Sequence, residues 1–156
     1  MFNVTPTGSY KLDIEFKRLP IDKVNKWPGY LIVCLPTPGS YCALTVNCAD
    51  KGTNYNGVDY KPKSKDERLG GLPYHPGIGK RHKLQVVVTP LAGGQSVKIE
   101  ATLNGKPITR WTGPSSALKG TGKFHKVSGT QNIGVGASSG GIKFYKVNFS
   151  GRHKGG

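Results

Sequence analysis

Cysteines, acidic residues and long apolar runs are all scarce in this 156-residue sequence, and each scarcity limits what the protein can be. There are three cysteines and no Cys-x-x-Cys pair, which argues against a zinc site of the usual spacing. No apolar stretch approaches the roughly 20 residues of a membrane-spanning helix. The length fits one globular domain with its own core.

An odd number of cysteines leaves at least one thiol outside any disulfide within the chain. Cys34 and Cys42 flank a Pro-Gly segment typical of a hairpin loop, and Cys48 follows the second strand of that hairpin. The first two thiols could face each other across the hairpin. The alternative that we favour is small buried thiols, because a free cysteine packs like a small apolar side chain.

Signal-peptide features are also missing from the start of the sequence. Met1 is followed by Phe-Asn-Val-Thr-Pro, without a basic start or an apolar run. We therefore expect either a cytoplasmic protein or a domain that belongs to a larger chain.

Catalytic motifs are equally scarce. Gly136-Ala137-Ser138-Ser139-Gly140 fits Gly-x-Ser-x-Gly by its letters, but no helix is predicted after it and residues 136–141 are better interpreted as a turn. The four histidines are scattered without a paired metal-ligand spacing. Glycoside hydrolysis needs two carboxylates around one bond. Asp13 and Glu15 are close in sequence, but they lie between Lys11 and Lys17, which indicates charge pairing on a solvated strand face. The pattern favours a protein that is not an enzyme.

No cofactor is expected either. Calcium needs clustered oxygen ligands, and Asp50, Asn54, Asn56 and Asp59 could supply several of them. The lysines around this segment argue against a calcium site.

The eight acidic residues are outnumbered by 23 lysines and arginines, so the net charge is +15. Such a charge attracts polyanions, whether nucleic acid, anionic membrane, or sulfated or uronic-acid polysaccharide. The alternative is a basic surface without a specific partner, or one whose acidic counterpart lies elsewhere in a longer protein.

Glycine and proline are abundant, at 23 and 11 residues, and supply the turns that a chain of many short strands needs. Residues 9–18 alternate apolar and polar side chains, which predicts a half-buried strand. Asn104-Gly105 is typical of a tight hairpin turn. Further strands are predicted at residues 30–35, 41–46, 81–89, 96–103, 107–112, 131–137 and 142–149, with one helical turn at 115–118.

These elements predict a single all-β domain over residues 9–150. A lead-in of residues 1–8 precedes it, a long basic loop interrupts it at about residues 51–79, and a basic tail of residues 151–156 follows. Loops of this length usually carry function.

Several segments together resemble the concanavalin A-like lectin/glucanase (LamG-like) domains. They are similar to modules at the ends of planctomycete proteins and to the 3-keto-disaccharide hydrolase family domain. The matching segments are residues 9–18, 79–86, 103–108 with 111–113, 133–137 and 144–147. The resemblance implies an antiparallel jelly-roll sandwich of two sheets, and these segments carry no catalytic residue.

Candidate ligand-binding residues are aromatic side chains interleaved with basic ones, a combination that suits stacking on sugars or bases. Trp27 lies in a loop context and could stack on a pyranose ring or plug one end of the sandwich. Trp111 is expected to anchor its hairpin, with a stacking platform as the alternative. The remaining candidates are Tyr55, Tyr60, Lys61, Lys63, Lys65, Arg68, Tyr74 and Arg81.

The leading hypothesis is a non-catalytic, lectin-like module that binds a polysaccharide, with an anionic one favoured. A structural or protein-interaction sandwich, including self-association, is the first alternative. Nucleic-acid or other polyanion binding is the second, and an enzyme acting on a sugar is the third. Fold alone does not separate these, because function depends on the site that a fold carries.

Overall fold

The structure is a computed structural model that describes residues 5–20, 30–46, 56–58, 71–72, 74, 76–118, 132–138 and 141–154. Within this part of the chain lie nine strands and one 3₁₀ turn, at Ser115–Ala117. The strands are β1 Thr5–Arg18, β2 Tyr30–Thr37, β3 Ser40–Val46, β4 Gly57–Val58, β5 Arg81–Pro90, β6 Ser96–Leu103, β7 Lys106–Pro114, β8 Gly134–Ser138 and β9 Ile142–Lys154.

The strands form two antiparallel sheets that pack face to face. The five-stranded sheet has the order β7-β6-β5-β1-β9, and the four-stranded sheet has the order β4-β3-β2-β8. The chain passes between the sheets after β1, β4, β7 and β8, so neighbours in one sheet are often distant in sequence. This arrangement confirms the predicted all-β jelly-roll sandwich. No helix in the described residues is long and apolar enough to cross a membrane.

The core lies between the two sheets and follows from period-2 alternation. On β1, Leu12, Ile14 and Phe16 are almost completely buried, and Leu84 and Val86 of β5 lie beside them. The polar residues between these positions face outward, because successive side chains of a strand point to opposite faces. The outer face of the five-stranded sheet is therefore mostly polar, with Val87 of β5 as an apolar exception.

β2 and β3 read as continuous apolar runs because both of their faces are buried. Leu31, Val33 and Leu35 face the main core, whereas Ile32 and Cys34 belong to a second cluster on the opposite face. Such two-sided burial is what removes the alternation from a strand sequence.

The two cysteines of the β2–β3 hairpin are buried and point to opposite faces. Cys42 pairs in register with Leu35 and packs in the main core, while Cys34 pairs with Ala43 in the second cluster. Paired positions share a face, so Cys34 and Cys42 are not joined to each other. This agrees with the favoured interpretation of small buried thiols.

The first and last strands are longer than the sequence patterns predicted. Thr5 pairs with Lys154 and Pro6 with His153, so residues 5–8 and 151–154 belong to the sheet rather than to a lead-in and a tail. Alternation did not reveal these extensions, because both ends of the strand pair are exposed and their side chains are not sorted by burial.

The predicted Asn104-Gly105 turn joins β6 to β7, with φ angles of 52° and 80°. Positive φ at both central residues matches the twist of a two-residue hairpin. The Asn104 side chain also fixes its surroundings. Its Oδ1 accepts the backbone N–H of Lys83 at 2.9 Å, and its Nδ2 lies 2.9 Å from Nδ1 of His82. Nε2 of His82, in turn, contacts the carbonyl oxygen of Gly77 at 2.8 Å.

Candidate functional site

The outer face of the five-stranded sheet carries charged side chains in register across three strands. Lys17 of β1 pairs with Arg81 of β5 on one side and with Lys143 of β9 on the other. Two residues earlier on β1, Glu15 pairs with Lys83 and with Lys146. We call the five basic residues, Lys17, Arg81, Lys83, Lys143 and Lys146, the cation block.

A β-bulge in β9 creates this alignment. Phe16 pairs with Phe144 while Glu15 pairs with Lys146, so Tyr145 is an extra residue opposite β1. A bulge changes which side chains face outward after it. Lys143 and Lys146 consequently share the outer face, whereas Val147 and Phe149 turn toward the core, where they are partly buried.

The extra residue, Tyr145, makes a cation–π contact with the guanidinium group of Arg81. The Arg81 Cζ lies 3.9 Å from the centroid of the Tyr145 ring, and the Lys143 Nζ lies 5.3 Å from it. Arg81 also approaches Glu15, with 3.8 Å between Nη1 and Oε2. A guanidinium stacked on an aromatic ring keeps its N–H edge available, so Arg81 is oriented for a planar anion.

The electrostatics of the block are unbalanced. Directly opposed side chains on neighbouring strands have Cβ atoms about 5 Å apart, and like charges there repel each other. Among the described residues, Glu15 is the only carboxylate that strand pairing places between the five cations. Because Arg81 is 58% exposed, water screens much of this repulsion. An anion that contacted several of the cations would relieve the rest.

A polar groove adjoins the cation block on the same face. It has a volume of about 610 Å³, and its lining includes Glu15 and two members of the cation block, Lys83 and Lys146. Ile14 and Leu84 form its floor with their main chains, since their side chains enter the core. The other polar side chains that line the groove are Asp13, Gln85, Thr102, Asn104 and Asn148.

The carboxylates of this face are each paired with a cation. The sequence predicted pairing across strands, which is found for Glu15 with Arg81, whereas the partner of Asp13 is Lys11 of the same strand. Oδ2 of Asp13 lies 3.1 Å from Nζ of Lys11, and Glu100 lies 2.9 Å from Lys98. These three carboxylates are all the acidic residues in the described part of the chain. Exposed pairs of this kind contribute little to stability but fix where charge is displayed.

Two of the predicted ligand residues lie in the described chain, in different places. Arg81 belongs to the cation block. Tyr74 instead packs half-buried against the core, with Nζ of Lys106 5.1 Å from its ring centroid. Trp111 also packs partly buried against the core, as expected for a hairpin anchor. The predicted residues that lie outside the described chain are Trp27, Tyr55, Tyr60, Lys61, Lys63, Lys65 and Arg68.

Sequence patterns missed most of the cation block. Tyr145, Lys143 and Lys146 sit on one strand, and ideal alternation would place Lys146 on the opposite face from Lys143. The signal available was the sequence Lys-Phe-Tyr-Lys itself, in which two aromatic residues separate two lysines that both need solvent. In a regular strand, one residue separates two side chains on the same face. A second residue between two such lysines therefore indicates a bulge.

Asn56, one of the four residues considered for calcium, has a structural role. Its Nδ2 donates to the carbonyl oxygens of Leu72 and Tyr74 at 2.7 and 2.8 Å, and the residue is buried. Asp50, Asn54 and Asp59 lie outside the described residues. Within the described part of the chain, no group of three or more His, Cys, Asp or Glu side chains is placed to hold a metal ion.

A second cavity, of about 390 Å³, lies toward the other end of the sandwich. Its walls are largely proline rings and main chain from the start of β1, the β2–β3 turn and the end of β5. Lys154 is the one charged side chain among the lining residues. This composition gives no basis for choosing a ligand.

No protein-family model and no curated protein matches the sequence. Among solved structures, the chain is similar to the alginate lyase AlgAT5 from polysaccharide lyase family 7, with 15% identity and a TM-score of 0.43. The match covers 97% of this chain and 62% of the lyase, so this chain spans less than two thirds of the lyase's length. A likeness of this size establishes neither an activity nor a ligand.

Proposed function

We propose that this domain is a non-catalytic, lectin-like module that binds an acidic polysaccharide through the outer face of its five-stranded sheet. The observation that carries the proposal is the cation block, in which five basic side chains surround one carboxylate. The resemblance of the sequence to concanavalin A-like lectin domains is a separate line of support.

The block suits a polymer better than a single small anion. Its first row of Lys17, Arg81 and Lys143 extends across three adjacent strands, and strands are about 4.8 Å apart. The row therefore spreads its positive charge over about 10 Å, which is longer than a single carboxylate or sulfate group. Arg81 adds a planar donor edge that matches a carboxylate or sulfate.

The surroundings of the block favour a polysaccharide over single-stranded nucleic acid. Nucleic-acid binding without sequence preference relies on aromatic rings on which bases stack. The Tyr145 ring is covered on one face by the Arg81 guanidinium at 3.9 Å. The neighbouring groove is lined by carboxylate, amide and hydroxyl groups, which suit sugar hydroxyls.

Catalysis is left out of the proposal because the described carboxylates are each placed beside a cation. Lys11, Arg81 and Lys98 lie within 4 Å of Asp13, Glu15 and Glu100, respectively. A carboxylate that is paired with a cation on an open sheet face lacks the enclosed surroundings in which a general acid usually works.

The test is retention of the whole chain on immobilised heparin across a salt gradient. We expect K17Q/R81Q/K143Q to elute at clearly lower salt than the native protein. Each lost ionic contact lowers the number of counterions that heparin releases on binding, and this release favours binding. The matched control is K106Q/R110Q/R152Q, which removes the same charge from exposed positions outside the block.

Equal effects of the two triple variants would mean that net charge alone causes retention, and the proposed site would be wrong. Competition by single-stranded DNA at the same concentration of charge as heparin would instead support the nucleic-acid alternative. Circular dichroism of both variants checks that the sandwich is intact.

Trp27 and Tyr60 remain proposed stacking residues in addition to this face. W27A and Y60A are expected to weaken binding to a glycan at high salt, where charge contributes least. Unchanged binding by both variants would remove them from the site and leave the sheet face as the proposed surface.

A further inference from the structure

Beyond the cation block, we infer that the polar groove is a binding site for an uncharged, hydroxyl-bearing sugar unit of the same polymer. This inference rests on the proposed function and adds the residues that set specificity. The two features are contiguous, since Lys83 and Lys146 of the cation block also line the groove. A chain whose acidic group contacts the block would therefore place its next unit over the groove.

The groove has a floor and two walls, so it can enclose part of a ring. Its floor is the main chain of β1 and β5 at Ile14 and Leu84. One wall is the Asn104-Gly105 turn, and the other is β9 at Lys146 and Asn148. At about 610 Å³, the space is within the range of small-molecule sites.

One wall is held rigidly in place. The Asn104 amide is engaged on both sides, with its Oδ1 accepting from Lys83 N–H and its Nδ2 next to His82 Nδ1. His82 is buried and anchored in turn to the Gly77 carbonyl oxygen. A Cβ at Gly105 would have no neighbouring atom within 4 Å, so nothing crowds the turn at this position.

The groove offers hydrogen-bonding groups that the fold itself does not use. Asp13 Oδ1 accepts from Gln85 Nε2 at 3.0 Å, which leaves the Gln85 carbonyl oxygen available. Among the described residues, neither the Thr102 hydroxyl nor the Asn148 amide makes a side-chain hydrogen bond, and both line the groove. An amide and a hydroxyl each donate and accept, which is what a sugar hydroxyl requires.

The two parts of the surface should respond differently to salt. Contacts between exposed charges are screened when the Debye length falls to a few ångströms. Hydrogen bonds from Gln85, Thr102 and Asn148 to sugar hydroxyls are between neutral partners, so salt weakens them much less. Binding of an acidic polysaccharide should therefore keep a salt-resistant part that a polyanion without hydroxyls lacks.

The experiment compares two probes by calorimetry at low and high salt: hyaluronan, in which acidic and uncharged sugar units alternate, and inorganic polyphosphate. T102V/N148A removes the two unused groups and is expected to lower affinity for hyaluronan about tenfold, with less than about twofold change for polyphosphate. The matched control is T112V/S150A, which makes similar changes on the same sheet face outside the groove and should leave both affinities unchanged.

The result that overturns the inference is an equal response of both probes to T102V/N148A, or none from either. If the proposed function is wrong, a different result is expected: K17Q/R81Q/K143Q would leave the affinities for the polysaccharide and for polyphosphate unchanged. If that triple variant weakens both probes while T102V/N148A changes neither, the cation block stands and the groove site does not. Thermal unfolding of each variant shows whether the fold is retained.

Discussion

Tyr10 shows how one side chain ties the two sheets together. Its ring is buried in the core, and its hydroxyl donates to the carbonyl oxygen of Pro36 at 2.8 Å. Because Tyr10 is on β1 and Pro36 is on β2, the bond joins the five-stranded sheet to the four-stranded one. Burial raises the pKa of Tyr10 well above its ordinary value, and the nearby Cys42 adds to the effect.

Tyr10→Phe is expected to lower the free energy of unfolding by about 1 kcal/mol at neutral pH, because one buried hydrogen bond is lost. The raised pKa means that the folded state favours the neutral phenol. The stability that this preference contributes is fully present below about pH 10 and is lost as the pH rises above it. The difference in the free energy of unfolding between the native protein and Tyr10→Phe should therefore shrink in alkaline solution. Urea unfolding of both proteins at several pH values measures the difference, and a constant difference up to pH 11 would contradict the expectation.

At the scale of the strand, the bulge in β9 determines which side chains of that strand face outward, and so has a larger effect on the cation block than any single charge. With Tyr145 removed, the sequence around it would read Lys143-Phe144-Lys146-Val147, a strict alternation of outward and inward side chains. The protein instead keeps an extra aromatic residue, and that residue stacks on Arg81.

Deletion of Tyr145 is therefore expected to leave a folded protein whose Lys143 and Lys146 still face outward. Its retention on heparin should fall modestly, because Arg81 loses its aromatic partner. Deletion of Asn148 is the control, since it keeps the bulge and turns Phe149 from the core to solvent, at a cost of about 2 kcal/mol or more. Thermal unfolding compares the two. If deleting Tyr145 unfolds the protein while deleting Asn148 does not, the assigned register is wrong.

Sequence patterns predicted most strands because alternation and burial coincide there. β5 and β6 are clear cases, with Leu84, Val86, Ile99 and Ala101 all buried as their spacing indicated. The candidate site was harder to predict. The cation block depends on long-range strand pairing of β1 with both β5 and β9, and on one extra residue. The alternation of side chains within a strand indicates neither which strand it pairs with nor where a bulge occurs.

For the molecule as a whole, a net charge of +15 means that its surface repels itself. Raising the sodium chloride concentration from about 0.01 to 0.5 M shortens the Debye length several-fold. We expect the midpoint of thermal unfolding to rise over this range, and to rise less in K17Q/R81Q/K143Q. Scanning calorimetry measures both. A midpoint that falls with salt in the native protein would show that attractive pairs outweigh the repulsion.

The pairing of β1 with β9 has a practical consequence for handling the protein. Thr5 and Lys154 are register partners, so the two ends of the described chain lie side by side at one corner of the sheet. Lys17 lies twelve residues farther along β1, about 40 Å away in an extended strand. A biotin or a fusion partner attached at either terminus would thus tether the domain near one corner of the sheet, with the cation block at the opposite end of β1.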